Sequence, residues 1–267
     1  SGTPEHVDFA MSSRRVWETD YKPHVVGSAR RRATPERLGA IRQAIDSVHA
    51  QGKWADLGLR GLWENMRGAF GDINLYENML LDPEWIRDYC RTYTDLYTEE
   101  LGLVLTEAGK PDGVWFFDDL GYRGTTFCNP ELYAELIFPF YVELVALAHR
   151  QGMPAILHTC GYTESVLPLI VDAGFDGLHP MEVKAGNDPL RMAEQYADRL
   201  VFIGGLDARI LESGDQGLIR RQVAAYIDGM KARGGRLVFG SDHSLSTNID
   251  YADFRAALDA WQEHCAY

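Results

Sequence analysis

The sequence has 267 residues, enough for one large α/β domain. Hydrophobic residues at 46% and charged residues at 24% give the balance of a soluble globular chain, and no apolar run approaches the ~18 residues of a membrane span. A net charge of −13 argues against nucleic acid and anionic lipid as partners, and the Arg30-Arg31-Arg32 run is too short to reverse it.

Residues 1–33 look irregular, an arm ahead of a domain expected over 34–267. The arm begins on Ser1-Gly2 rather than Met, so the completeness of the N-terminus stays open. Thr34-Pro35-Glu36 starts a helix, with Thr as N-cap and Pro in the first turn. Leu38, Ile41, Ile45 and Val48 follow at helical spacing, and Gly52 ends it. Trp54–Leu59 reads as a strand. A long helical region comes next, restarted at Asp82-Pro83-Glu84, and leads to the buried strand Gly113–Phe117. Asn129-Pro130-Glu131 opens a helix carrying Leu132, Leu136, Ile137, Phe140, Leu144 and Leu147 on one face. Strands are then expected at Met153–Leu157, Gly174–Leu178, Leu200–Ile203 and Arg236–Phe239. Helices are expected at Val166–Val171, from Asp188-Pro189 to Tyr196, at Leu218–Met230 and at Phe254–Trp261.

Short apolar strands separated by helices demand a parallel sheet covered on both faces. Six strands are counted, with room for one more near the N-terminus. That leaves a (β/α)8 TIM barrel, complete or lacking an N-terminal β/α unit, or an open doubly wound sheet. No Gly-rich phosphate fingerprint follows the first strand, which disfavours a dinucleotide-binding version of the second.

In such folds chemistry lies just past the C-terminal ends of the strands. Here those positions hold Asp118-Asp119, His158-Thr159-Cys160-Gly161, His179-Pro180-Met181-Glu182, Gly204-Gly205-Leu206-Asp207 and Ser241-Asp242-His243. This concentration points to an enzyme. Asp118, Asp119 and His243 are the candidate catalytic groups. Of the two adjacent acids, one is expected to face the mouth, to hold a substrate amine or hydroxyl or to act as general acid or base, and the other to face the loops. Tyr122, Arg123, His179, Gly205 and Asp207 are candidate substrate contacts, the Gly204-Gly205 pair because backbone without Cβ can lie close to a ligand. His158 and Cys160, two apart in extended chain, point to one side and can reach one ion. With Glu182 and His243 they make a candidate zinc set. The remaining cysteines, Cys90, Cys128 and Cys265, do not form a disulfide scaffold, no signal-peptide pattern is visible, and a cytoplasmic location is expected.

The stretches FFDDLG (Phe116–Gly121), LHTCG (Leu157–Gly161), GFDGLHPME (Gly174–Glu182), FIGGLD (Phe202–Asp207) and GSDHSLSTNID (Gly240–Asp250) resemble, in order, the uroporphyrinogen decarboxylase superfamily. The resemblance covers residues 54–262 and implies a (β/α)8 barrel with a deep cleft. It implies two enzyme activities. One is zinc-dependent methyl transfer between a corrinoid (methylcobalamin) and a thiol or other small acceptor, with a corrinoid protein as partner. The other is metal-free decarboxylation of a tetrapyrrole.

His158 and Cys160 match the His-x-Cys of the methyltransferases, whose further downstream cysteine is here His243, as in the decarboxylases. Glu182 matches the spacing of an extra glutamate ligand in a related methionine synthase barrel. The RQAGRY-type arginine motif that grips carboxylates in the decarboxylases is absent, and Leu59-Arg60-Gly61-Leu62-Trp63 offers no clear acid at their second motif. The expectation therefore leans to methyl transfer. A non-catalytic corrinoid-binding barrel is the reading from another class, and a homodimer is compatible with any of them.

Overall fold

The computed structural model describes residues 9–266. The chain forms two compact units. One comprises the described residues up to Asp118 together with Cys128–Ala155, the other Asp119–Phe127 and the chain from Ile156 onward.

In the first unit β1 (Asp56–Arg60) and β2 (Gly113–Phe117) pair in parallel, Leu57 opposite Val114 and Arg60 opposite Phe117. The helices Leu62–Phe70, Asp72–Leu81 and Pro83–Glu107 connect them. Helix starts follow the sequence. The side chains of Thr34, Asp82 and Asn129 each accept a backbone N–H of the first turn, with proline next in line. The single helix expected from Asn129 is two helices, Pro130–Leu136 and Phe138–Arg150, bent by 58°. Pro139 explains the break, because it has no N–H to return to the preceding turn.

Residues 14–32, expected to be irregular, are a chain of helical turns: Arg14–Val16, Trp17–Tyr21, Lys22–Val25 and Ala29–Arg32. Trp17 is fully buried, its ring tilted against Tyr89 with centroids 4.8 Å apart, and its indole N–H donates to Asp88 over 2.8 Å. It joins a core of Trp63, Phe70, Trp85 and Tyr141. The part of the expected arm at residues 1–8 lies outside the described residues.

The second unit starts with a small antiparallel hairpin, β3 (Gly121–Tyr122) and β4 (Thr125–Thr126). Then come β5 (Ala155–His158), β6 (Gly177–His179), β7 (Val201–Leu206) and β8 (Arg236–Ser241), with β6, β7 and β8 each parallel beside the strand before it. Neither unit shows a reversal of strand order, so of the two layouts open to the sequence this is the barrel order rather than the doubly wound one. All six expected strands are present, and among the described residues no further strand precedes Asp56. Alanines 256, 257 and 260 let the Tyr251–His264 helix pack closely on Ile219, Val223 and Ile227 of the Gln216–Ala232 helix.

No single helix among the described residues is long and apolar enough to cross a membrane. The bent pair from Pro130 to Arg150 passes on length and composition alone, but its Phe138, Tyr141, Leu144 and Val145 are buried in the first unit's core.

Candidate active site

In the second unit the strand ends bring imidazole, thiol and carboxylate together. His158 closes β5 and Cys160 follows two residues on. His158 Nε2 lies 3.5 Å from Cys160 Sγ and 3.6 Å from Asp119 Oδ1. The same Asp119 oxygen accepts the Cys160 backbone N–H over 2.9 Å, which pins the loop that carries the thiol. Asp119, His158 and Cys160 thus form one group whose ligand atoms lie within 4.8 Å of one another. Cys160, Glu182 and His243 form a second, by the same measure. The four expected ligands are therefore divided between two triads that share the Cys160 sulfur, with Asp119 as a fifth member. Among the described residues no one group unites His158 with Glu182 and His243.

The scaffold under these side chains is specific. Gly161 has φ 78°, and a Cβ there would stand 2.2 Å from the Gly121 carbonyl carbon. Only two glycines let the hairpin press this closely on the end of β5. Tyr162 N–H donates to Tyr122 O over 2.7 Å, and Leu120 N–H donates to Thr159 Oγ1 over 2.9 Å. Glu182 is nearly buried. One carboxylate oxygen accepts Gly161 N–H over 2.7 Å, and the other lies 3.4 Å from Lys184 Nζ. Asn187 is buried, with every capacity of its amide in use: it donates to Gly161 O and Glu182 O and accepts from Thr163 N and Oγ1. Asp242 accepts Val183 N–H over 2.8 Å and Ala208 N–H over 2.9 Å. It thereby ties the loops after β6 and β7 to the residue preceding His243.

Burial pushes the Cys160 thiol up to about 12, and the Asp119 and Glu182 carboxylates add to it. Burial also lowers His158, with His243 acting in the same direction and Asp119 against it. His179 falls to about 4, again from burial, with His158 contributing. All three side chains thus resist carrying charge on their own, and a cation among them reverses that preference for the thiol. Each triad offers one sulfur, one imidazole and one carboxylate, donor types that zinc accepts.

The remaining candidates fall elsewhere. Asp118 belongs to the first unit and is buried. Its carboxylate accepts Trp63 N–H over 3.3 Å, Glu64 N–H over 2.6 Å and the Tyr141 hydroxyl. It thus takes the place of an N-cap for the Leu62–Phe70 helix, whose own cap position is Gly61. Tyr122 and Arg123 are exposed on the hairpin. Asp207 accepts Arg209 N–H and pairs with its guanidinium at 2.7 Å, which holds its carboxyl below the usual range. The approach expected over Gly205 is made by the chain itself: a Cβ there would stand 2.3 Å from Tyr226 Oη, whose hydroxyl donates to Gly204 O. His179 faces His158, Nδ1 to Nδ1 at 2.7 Å. Asn187 and Asp242 were not singled out by the sequence. The cue available was a polar residue beside each motif, GND before a helix start and SDH after a strand.

Residues 67–264 match the family model of uroporphyrinogen decarboxylase (URO-D). The chain belongs to that family. The URO-D fold is a TIM barrel, and the described residues hold six of its parallel strands. Among solved structures a methyltransferase from Methanosarcina mazei matches with a TM-score of 0.66 and 14% identity, over 96% of this chain and 68% of that one. At that identity the likeness shows the fold alone. An amidohydrolase matches 62% of this chain and 41% of its own with 16% identity, and its TM-score of 0.38 carries no argument. No curated protein matches the chain.

Proposed function

We propose that this URO-D family member is a methyltransferase. It moves a methyl group between a corrinoid, presented by a corrinoid protein, and a small thiol. The observation that carries this reading is the shared position of the Cys160 sulfur, within 4.8 Å of an imidazole and a carboxylate in each of two triads. Tetrapyrrole decarboxylation needs no such thiol. Zinc fits the donor set, and when bound it would supply a substrate thiol as thiolate at neutral pH.

Cys160 is the residue to hold the metal, either with His243 and Glu182 or with His158 and Asp119. Asp119 holds Cys160 in place through the backbone N–H. Asn187 fixes the Glu182 carbonyl and Asp242 the loop that follows it. Expected of the purified protein with methylcobalamin and a panel of thiols is a methyl thioether product. It should vanish in Cys160→Ser, while uroporphyrinogen is left unchanged. Carbon dioxide release from uroporphyrinogen, with no thioether from any thiol, would replace this reading by the decarboxylase one. A corrinoid bound without turnover, and retained after loss of His158 and Cys160, would leave a binding protein.

A further inference from the structure

A cavity of about 960 Å3 opens in the first unit between the end of β1 and the helices Leu62–Phe70, Asp72–Leu81 and Pro83–Glu107. Its volume is that of a small-molecule site. Arg60, the last residue of β1, lines it. Arg60 Nη2 donates to Glu64 O over 3.1 Å, and Gly68 leaves the space in which the guanidinium lies, since a Cβ there would stand 2.9 Å from the same nitrogen. Among the described residues Arg60 makes no ion pair. Arg67 on the same wall is the contrast, pairing with Glu64 at 3.2 Å and with Asp72 at 2.9 Å. The chain has 39 acidic and 26 basic side chains, an excess of carboxylates, yet none meets Arg60. Asn65, half-buried on the neighbouring helix, also lines the cavity, and its side-chain amide makes no hydrogen bond among the described residues. A further wall is aromatic: Tyr89 and Tyr93 stand with ring centroids 4.6 Å apart, and the buried Trp17 packs against both.

We propose that this cavity binds an organic monocarboxylate with a flat apolar body, whose carboxylate accepts from Arg60 and Asn65 and whose body lies against Tyr89 and Tyr93. A guanidinium offers five N–H groups in a planar fork that matches the two oxygens of a carboxylate, and the protein takes up one of them. The Glu64 carbonyl orients that fork without neutralising it. Aromatic side chains give a flat apolar body a large contact at low entropic cost. The charges on the wall also limit the ligand. Arg67 is neutralised by Glu64 and Asp72, while Glu77, on the same wall, makes no ion pair among the described residues. One carboxylate on the ligand meets Arg60, and a second would meet Glu77. Polycarboxylates and other multiply charged anions are therefore disfavoured. Such binding needs no metal and no residue of either triad, so it stands whether or not the methyl-transfer reading does.

The test is a ligand-observed 1H NMR titration of the full chain with three probes: 3-phenylpropionate, its neutral amide and benzene-1,3,5-tricarboxylate. The monocarboxylate is expected to bind, the amide about tenfold more weakly for want of the charge-assisted bonds, and the tricarboxylate more weakly as well. Arg60→Met should lower the affinity for 3-phenylpropionate by about 10–100-fold, and Arg60→Lys should restore part of it. Gly68→Ala, which crowds the guanidinium, should lower it too. No binding of 3-phenylpropionate, an amide or a tricarboxylate that binds as tightly as the monocarboxylate, or an Arg60→Met variant with wild-type affinity overturns the proposal. The comparison of acid with amide uses the wild type alone, so it decides even if Arg60→Met fails to fold.

Discussion

The Cβ that alanine would place on Gly61 falls 2.2 Å from both Cβ and Cγ of Asp118. The glycine is there because the carboxylate is: Asp118 reaches over it to cap the Leu62–Phe70 helix from a neighbouring strand end. Gly61→Ala is expected to destabilise the protein by about 1–3 kcal/mol, the usual range for overpacking a tight contact. Asp118→Ala should also destabilise, since it leaves the Trp63 and Glu64 N–H groups buried without their acceptor. Urea unfolding of both variants checks this, and an unchanged midpoint for either would contradict the capping role.

The same carboxyl gives the protein a pH signature. Burial lifts Asp118 from 3.8 to about 7, against the pull of Tyr141 and the backbone donors. A raised acid holds its proton in the folded chain where the unfolded chain has released it. Its contribution is therefore full below about 4 and declines as pH rises to about 7, by about 1.4 kcal/mol for each pH unit in that window. Asp118→Asn should flatten that part of the stability–pH curve. A slope that survives the substitution would assign it to other groups.

Asp242 is expected to matter for stability before chemistry. Asp242→Ala leaves the Val183 and Ala208 N–H groups without their partner, at about 1–3 kcal/mol each if both stay buried. The variant should unfold at lower urea and also bind zinc more weakly, because the loop bearing Glu182 and the residue before His243 lose their common tie. Weaker zinc binding at full stability would instead make Asp242 part of the donor set.

Gly205 offers a test of what fills the space above it. Gly205→Ala meets Tyr226 Oη at 2.3 Å and Met181 Cε at 2.9 Å, at a backbone φ of 80° that side chains tolerate poorly. A loss of about 1–3 kcal/mol is expected. Tyr226→Phe should recover part of it in the double variant, by removing the nearest atom. Full additivity of the two substitutions would show that the hydroxyl is not the obstacle.

Much of this was legible in the chain. The strands could be placed because each is a short apolar run bounded by glycine, proline or a capping acid, and the polar rim because five of the six strands are followed closely by ionisable groups. His158 and Cys160 came together as their spacing dictates. Other features depend on contacts distant in sequence. Nothing local says that Asp118 turns to a helix cap and Asp119 to Cys160, since two adjacent acids alternate sides in either assignment. The glycine pair Gly121 and Gly161 is meaningful only once the hairpin lies on β5. Arg14–Arg32 looked irregular because its helical turns are three to five residues long, too short to show a 3.6-residue apolar period. The pairing of His158 with His179 follows from strand register, which the sequence does not print.

The most direct test of the metal reading is the metal content of the purified protein. Prepared without chelator and supplied with zinc, the full chain should hold about one equivalent by mass spectrometry. Cys160→Ser, which alters the sulfur shared by both triads, should lose most of it, and His158→Ala and His243→Ala should each weaken it. A content well below one equivalent that Cys160→Ser leaves unchanged would contradict the account and make Cys160 an ordinary pocket thiol.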